Sequence, residues 1–273
     1  THIKTTNWVL DGAISTFPLT YHYRILPFSG TRAEVDMERH QRYVEYWGNN
    51  VNIGRYMLDR ANARYELVLF MEHIPSVLEP WLQENPNEHN RALNDLRVTI
   101  NFLRKHGIIH FDAHFHNVLT DGERAYLTDF GLVLDRSFDL TKEEQLFFRQ
   151  NTHYDYGEVL SSLASLIFRV YDALPEDEKR RVMDKLGVGD GTHYAEMEAQ
   201  LLRNIEPLYE DGMLKLDEGY VSSVVKYRGI IALMNDFYSD LQRNNKKDTK
   251  LRHAELRRLL EETGFVPGTG SSR

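Results

Sequence analysis

Three side chains with oxygen ligands are concentrated in residues 106–131, HGIIHFDAHFHNVLTDGERAYLTDFG. Asp112 and Asn117 lie on one expected loop, and Asp129 follows after an expected turn and strand. Phosphoryl transfer needs one carboxylate to receive and orient the attacking hydroxyl, and an amide oxygen and a second carboxylate to hold Mg²⁺ on the phosphates. The stretch carries these groups in that order, which predicts a phosphoryl-transfer site.

The elements around these residues are expected to bring them together. An apolar-periodic helix ends at His106, and Gly107 is a suitable C-cap. A short buried run at 108–109 then leads into the loop. Residues 117–119 and 125–127 have the pattern of two strands joined by a hairpin turn at 121–122. The return strand should end beside the loop, so we expect the three oxygen ligands to converge on one cleft.

With these residues in view, the chain resembles the protein-kinase-like superfamily over most of its length after about Tyr65. The motifs that carry the resemblance are His110-x-Asp112-x-His114-x-x-Asn117, similar to the catalytic loop, and Asp129-Phe130-Gly131, similar to the metal-binding triplet. The triplet followed by Leu132 is similar to eukaryotic-type serine/threonine kinases. Histidine at 114 is similar to the aminoglycoside-phosphotransferase and lipopolysaccharide-kinase branch.

The resemblance implies a role for each matched residue. Asp112 would be the catalytic base, with His110 beside it in the catalytic loop and expected to hold that loop by hydrogen bonds. Asn117 and Asp129 would be the Mg²⁺ ligands, and ATP the phosphoryl donor. The residues implied as structural support are His114, Phe130, Gly131 and Asp155, the last resembling the buried aspartate that braces the catalytic loop.

The nucleotide-binding residues depart from the family pattern. By resemblance, the backbone of Glu72, His73 and Ile74 would bind adenine at a hinge. Arg24 stands where the family has a lysine, and Glu38 is its expected partner, although a guanidinium does not replace an ammonium in geometry. No Gly-x-Gly-x-x-Gly loop occurs in the sequence. Such a loop lies upstream of Thr1, or the phosphates are covered differently, or nucleotide binding is impaired.

Several alternatives follow from the residues. The expected acceptor is a protein serine or threonine, ahead of a sugar or aminoglycoside-like small molecule. The missing glycine loop and Arg24 also fit a pseudokinase that serves as a binding scaffold. His110, Asp112, His114 and His116 could instead form a transition-metal site, because alternate residues of a strand face one side. That hypothesis leaves Asn117 and Asp129 unexplained.

Composition limits the remaining classes of function. The formal charge of −8 argues against general nucleic-acid binding, for which a basic stripe is expected. The absence of cysteine excludes disulfides and thiolate metal sites and is compatible with a cytoplasmic location. No run of eighteen apolar residues is present, so we expect no membrane span. The sequence starts at Thr1 rather than Met, so the natural N-terminus is expected to lie upstream.

These observations predict an α+β, bilobal protein-kinase-like fold. Residues 1–74 would form a strand-rich, incomplete N-lobe with one helix, 75–267 a mainly helical C-lobe with the catalytic hairpin, and 268–273 a flexible tail. The expected N-lobe elements are strands at 7–10 and 19–28, a helix at 33–47, and a hairpin of 56–58 with 66–71. In the C-lobe we expect helices at 77–83, 154–171, 174–186, 194–205, 221–242 and 251–263, and a capping box at Thr141 and Glu144.

Overall fold

The computed structural model describes residues 1–31, 34–189, 191–244 and 247–268. It is an α+β structure, mostly helical, with small antiparallel sheets. The helices are α1 (His2–Leu10), α2 (Met37–Tyr46), α3 (Val51–Ala61), α4 (Leu78–Glu84), α5 (His89–Lys105), α6 (Lys142–Gln150), α7 (Tyr154–Ser161), α8 (Leu163–Asp172), α9 (Glu176–Leu186), α10 (Tyr194–Arg203), α11 (Ile205–Glu210), α12 (Glu218–Arg243) and α13 (His253–Glu262). The strands are β1 (Thr20–Pro27), β2 (Tyr65–Met71), β3 (Ser76–Val77), β4 (Ile108–Ile109), β5 (Val118–Thr120), β6 (Ala125–Leu127) and β7 (Leu134–Asp135).

The chain divides into two compact units. One unit contains Leu19–Glu72 and Asp236–Leu251, and the other contains Thr1–Pro18, His73–Asn235 and the described residues from Arg252 onward. Residues 1–18, predicted to belong with the first strands, therefore group with the larger unit. The predicted tail at 269–273 lies outside the described residues, as does the start of the helix predicted from Ala33.

In the smaller unit, β1 and β2 form an antiparallel ribbon in which Tyr23 is opposite Leu69 and Ile25 is opposite Leu67. The strand predicted at 56–58 is wrong, because these residues belong to α3. Asn50 caps α3 by accepting a hydrogen bond from the Asn52 N–H, which supplies one of the partners that the first turn of a helix lacks.

The strand predicted at 7–10 is also wrong, because these residues lie in α1. The exposed positions of α1 are Ile3, Asn7 and Leu10, a spacing of three to four residues that is typical of one helical face. The buried positions are Thr5 and Thr6, so hydrophobicity alone did not indicate the helix. Trp8 packs with its ring centroid 5.1 Å from that of Phe102 in α5.

The hairpin predicted over residues 117–127 has the expected elements. Gly107 ends α5 with φ +75°, and a Cβ there would lie 2.9 Å from Arg136 Cδ, so this turn favours glycine. β4 then pairs with β7, and β5 pairs with β6. The Asp121 side chain accepts hydrogen bonds from the Glu123 and Arg124 N–H groups and so closes the turn between β5 and β6.

Most C-terminal helices lie close to their predicted positions, but α11 was not predicted and one predicted helix is divided. The helix predicted over 154–171 is two helices, α7 and α8, which meet at Ser162. The predicted capping box at the start of α6 is confirmed, since Thr141 and Glu144 bond each other's backbone N–H groups. In the described part of the chain, no helix is long and apolar enough to cross a membrane.

Packing around α7 gives a first prediction. A Cβ at Gly157 would lie 2.7 Å from Met234 Sδ and 3.2 Å from Leu256 Cδ1. Replacing Gly157 with Val should therefore force these side chains apart and lower the free energy of unfolding by about 1–3 kcal/mol, as measured by chemical denaturation.

Gly229→Ala in α12 is the matched control. Its Cβ would meet Leu259 at 3.4 Å, an ordinary contact, and alanine is the better helix former. The packing explanation would be contradicted by equal losses of stability in the two variants.

Candidate active site

Asp112 and Asn117 are joined directly. The Asn117 Nδ2 donates to the Asp112 backbone carbonyl at 2.9 Å and to Asp112 Oδ2 at 2.7 Å. Both bonds use the amide nitrogen, so the amide oxygen of Asn117 faces away from the aspartate. The loop thus offers a carboxylate and an amide oxygen side by side, both on partly exposed residues.

Asp129 lies on the segment that follows β6, next to the loop that contains Asp112 and Asn117. The two segments are linked because the Thr128 N–H donates to the Asn117 carbonyl at 3.0 Å. Asp129 has φ +58°, a left-handed conformation in which its Oδ1 accepts a hydrogen bond from the Gly131 N–H at 3.2 Å. Its Oδ2 has no hydrogen-bond partner within the residues that the structure describes, and the residue is exposed. The hairpin therefore places the third predicted oxygen ligand one residue from the backbone bond that joins Thr128 to Asn117.

His110 is a scaffold residue. It is fully buried, its Nε2 lies 2.9 Å from the Thr128 carbonyl, and its Nδ1 accepts from the Asp112 N–H at 3.3 Å. These contacts fit a neutral imidazole that carries its proton on Nε2. Burial lowers the pKa of His110 to about 4, more than the neighbouring carboxylates raise it. The ring therefore fixes the loop to the strand end and stays uncharged near neutral pH.

Two buried carboxyl groups on α7 hold the backbone of the loop that contains Asp112. Asp155 accepts hydrogen bonds from the His110 and Phe111 N–H groups at 2.8 and 2.9 Å. Glu158, one helical turn further on, accepts from the Ala113 N–H at 2.6 Å. Sequence reasoning selected Asp155 and missed Glu158, although residues at i and i+3 share one helical face.

Burial shifts both carboxyl groups toward the neutral form. The pKa of Asp155 is raised to about 6, against the two backbone hydrogen bonds that lower it. The pKa of Glu158 is raised to about 8, first by burial and then by the nearby charge of Asp155. At neutral pH, Glu158 is therefore mostly protonated while Asp155 is mostly ionised, which avoids placing two charges together in the core.

Phe111 adopts a backbone conformation that large side chains rarely take. Its φ is +63°, and the ring stacks on Phe147 of α6 at a centroid distance of 5.4 Å and packs against Tyr154 at 5.3 Å. A bulky residue with positive φ is strained, so the contacts around it must hold it in place. The aromatic rings and Asp155 together fix the residue that precedes Asp112.

The histidines of the loop have separate partners. His114 Nε2 lies 3.3 Å from Asp112 Oδ1, whereas His116 Nε2 lies 2.8 Å from Glu79 Oε2. His110 faces Thr128 instead. Across the residues with a described structure, no group of three or more His, Asp or Glu side chains is placed to hold a metal ion, so the transition-metal hypothesis has no support.

The predicted nucleotide-binding residues have other partners in the described chain. Arg24 Nε lies 3.2 Å from His22 Nε2, and Glu38 lies 3.6 Å from Arg42, so the expected Arg24–Glu38 ion pair is not formed there. The Glu72 N–H donates to the Leu19 carbonyl at 2.7 Å, and its carboxylate accepts from the Leu19 N–H. His73 is exposed and Ile74 is half-buried.

Residues of the N-terminal segment contact the end of the hairpin and the triplet that follows it, which the sequence did not indicate. The Leu127 N–H at the end of β6 donates to the Thr16 carbonyl at 3.0 Å. The ring of His2 packs edge-on against the buried ring of Phe130, with centroids 5.0 Å apart. Phe130 also lies 5.2 Å from His110, so the middle residue of the predicted triplet is packed between α1 and the loop that contains His110.

The site therefore combines a partly exposed carboxylate with an amide oxygen and a second carboxylate on a linked segment. No protein-family model matches this chain, and no curated protein matches it either. The chemistry of the site must therefore be inferred from its own residues. Of the two aspartates Asp112 and Asp129, it is Asp112 whose carboxylate contacts both the amide of Asn117 and the imidazole of His114.

The raised pKa of Glu158 gives a pH-dependent prediction. Because folding raises this pKa from 4.5 to about 8, the folded state binds the proton more tightly, and the group's contribution to stability is lost as pH rises through that range. Glu158→Gln keeps an acceptor for Ala113 and cannot ionise. We expect the variant to gain at least about 1 kcal/mol over the wild type between pH 5 and pH 9, roughly 2–4 °C in Tm.

Thermal unfolding at both pH values measures this difference. Glu210→Gln, at an exposed position at the end of α11, should show the same pH dependence as the wild type. If the difference in Tm between Glu158→Gln and the wild type were the same at both pH values, it would contradict a raised pKa of Glu158 in the folded protein.

Proposed function

We propose that the chain is an ATP- and Mg²⁺-dependent phosphotransferase of bilobal, protein-kinase-like architecture that phosphorylates a hydroxyl group. The observation that supports this most is the orientation of Asn117. Two hydrogen bonds to Asp112 use its amide nitrogen, which leaves the amide oxygen as a ligand beside the carboxylate that would receive the hydroxyl. Asp129 supplies the second carboxylate from the linked segment.

Asp112 is the proposed base. It is partly exposed, with its side chain 29% accessible, and its backbone N–H is bonded to His110. The acceptor hydroxyl would donate a hydrogen bond to the Asp112 carboxylate, which orients the oxygen. As the new oxygen–phosphorus bond forms and the bond between the β and γ phosphates breaks, the hydroxyl proton passes to Asp112 and ADP leaves. Positioning supplies much of the rate gain in such a reaction.

Asn117 and Asp129 fit a hard divalent cation. An amide oxygen and a carboxylate oxygen, each without a partner in the described residues, are ligands of the type that Mg²⁺ takes together with substrate phosphates. When bound, Mg²⁺ supplies charge neutralisation at the phosphates. The left-handed backbone of Asp129 and its bond from Gly131 set the direction of that carboxylate before any ligand arrives.

A protein serine or threonine is the proposed acceptor. Large apolar side chains are exposed on the segment after the triplet and on α6, as expected for a surface that meets a polypeptide: Leu132, Phe138, Leu146 and Phe147. A small hydroxyl compound is the second candidate, because a polar cavity of about 420 Å³ adjoins the catalytic loop at His114. Arg24 and Glu38, whose described partners lie elsewhere, favour a pseudokinase as the alternative without turnover.

The base assignment predicts the effect of Asp112→Asn. The amide keeps the shape of the carboxylate but cannot take the proton, so phosphoryl transfer from labelled ATP should fall about 10²- to 10⁴-fold. Because Asp112 is not a proposed phosphate ligand, the affinity for Mg-ATP should change little. Asp139→Asn, at an exposed carboxylate beyond the triplet, serves as the control and should keep full activity. Wild-type turnover in Asp112→Asn would refute its role as base.

The ligand assignment predicts the effect of Asp129→Asn. Loss of the charged ligand should weaken Mg-dependent ATP binding by about tenfold or more. Calorimetric titrations of ATP with Mg²⁺ and with a chelator in its place separate the metal-dependent part of the affinity. The ratio of the two affinities should fall in the variant, and a ratio equal to that of the wild type would exclude Asp129 as a ligand.

A further inference from the structure

A polar cavity opens beside the catalytic loop within the larger unit. Its volume is about 420 Å³, and its lining includes Glu79, His114, His116, Arg169 and Tyr194. We call it the Glu79 cavity. His114 connects it to the proposed active site, because the Nε2 of this lining residue lies 3.3 Å from Asp112 Oδ1. A molecule in the cavity would therefore lie next to the side chains that surround the proposed base.

A buried carboxylate organises the cavity wall. Glu79 is only 3% exposed, and both of its oxygens are engaged. Oε1 accepts a hydrogen bond from Arg169 Nε at 2.8 Å and also lies 2.8 Å from Arg169 Nη2, and Oε2 lies 2.8 Å from His116 Nε2. A buried charge needs such partners, and the two contacts to Oε1 hold one edge of the guanidinium against Glu79. Glu79 thus fixes two nitrogen-bearing side chains on the cavity wall and offers little acceptor capacity of its own.

Arg169 keeps hydrogen-bond donors that no described residue uses. Arg169 Nη1 has no hydrogen-bond partner among the described residues, and the Arg169 side chain is 46% exposed. The other acidic residue of the lining, Asp172, is mostly solvent-exposed and lies 3.8 Å from Lys179. A guanidinium with a free N–H edge recognises planar or tetrahedral oxyanions.

We infer that the Glu79 cavity binds the phosphoryl acceptor and selects acceptors that carry an anionic group near the reactive hydroxyl, with Arg169 as the residue that recognises the charge. This inference rests on the proposed function, because it makes the cavity part of the same site. The chemistry has two possible sources. One is a small hydroxy acid or phosphorylated hydroxyl compound, and the other is a peptide serine flanked by glutamate.

Matched pairs of acceptors test the inference. Glycerol 3-phosphate is compared with glycerol, and a serine peptide with flanking glutamates is compared with its glutamine counterpart. Both phosphoryl transfer from labelled Mg-ATP and calorimetric binding without nucleotide are measured. We expect the charged member of at least one pair to have about a tenfold lower KM and dissociation constant. The pair that shows the preference identifies the source. Equal behaviour within both pairs would overturn the inference.

Variants of Arg169 assign the preference to the cavity. Arg169→Gln should remove the preference by raising KM for the charged acceptor about tenfold more than KM for the neutral acceptor. Arg169→Lys should retain part of it, because an ammonium keeps the charge without the planar edge. An equal loss for charged and neutral acceptors would overturn the role of Arg169 in recognition.

Removal of Arg169 alone leaves the buried Glu79 carboxylate with fewer partners, so a paired variant is needed. Glu79→Gln combined with Arg169→Gln removes both charges and should lose the preference in the same way as Arg169→Gln. A preference that persists in the double variant would overturn the inference.

Anion binding that depends on Arg169 without any ATP turnover would refute the proposed function and support the cavity site. Turnover without charge preference would refute the cavity site alone.

Discussion

The structure around the proposed active site depends on two buried carboxyl groups on one turn of α7. Asp155 and Glu158 together accept hydrogen bonds from the N–H groups of His110, Phe111 and Ala113, three of the four residues in the segment 110–113. Without these acceptors each N–H would remain unsatisfied in the interior, at a cost of about 1–3 kcal/mol. The carboxyl groups are expensive to bury as well, which is why one of them is mostly protonated at neutral pH. The carboxyl groups of α7 therefore provide acceptors for the N–H groups of the loop, and these N–H groups provide the hydrogen bonds that the buried carboxyl groups need.

This arrangement fixes Asp112 through its neighbours. Phe111 is held in its left-handed conformation by Asp155 and by the rings of Phe147 and Tyr154. His110 then connects the loop to Thr128, whose own N–H bonds to the Asn117 carbonyl. The chain of contacts thus runs from α7 through the loop to the strand end that carries Asp129. A site that must place oxygen ligands before its substrate binds gains from such rigid support.

Sequence reasoning predicted the hairpin of the candidate site better than the elements around it. The hairpin of β5 and β6 was predicted because local signals specify it: apolar runs of strand length on either side of Asp121 and Gly122. The α1 helix was not predicted because its buried face contains Thr5 and Thr6, which do not appear as an apolar stripe. Glu158 and Glu79 were missed for a related reason, because a carboxyl group is expected at the surface until the fold shows it buried. Long-range contacts such as Thr16 with Leu127 have no local signal at all.

The central claim is that Asn117 and Asp129 hold Mg²⁺ on the phosphates of ATP. The most direct test is the thermal stability of the wild-type protein as ATP is titrated with and without Mg²⁺. We predict stabilisation that requires both ATP and Mg²⁺ and that approaches about 2.7 kcal/mol at a hundredfold excess of ligand over its dissociation constant. Stabilisation by ATP that is the same with a chelator, or no stabilisation at any concentration of Mg-ATP, would contradict it.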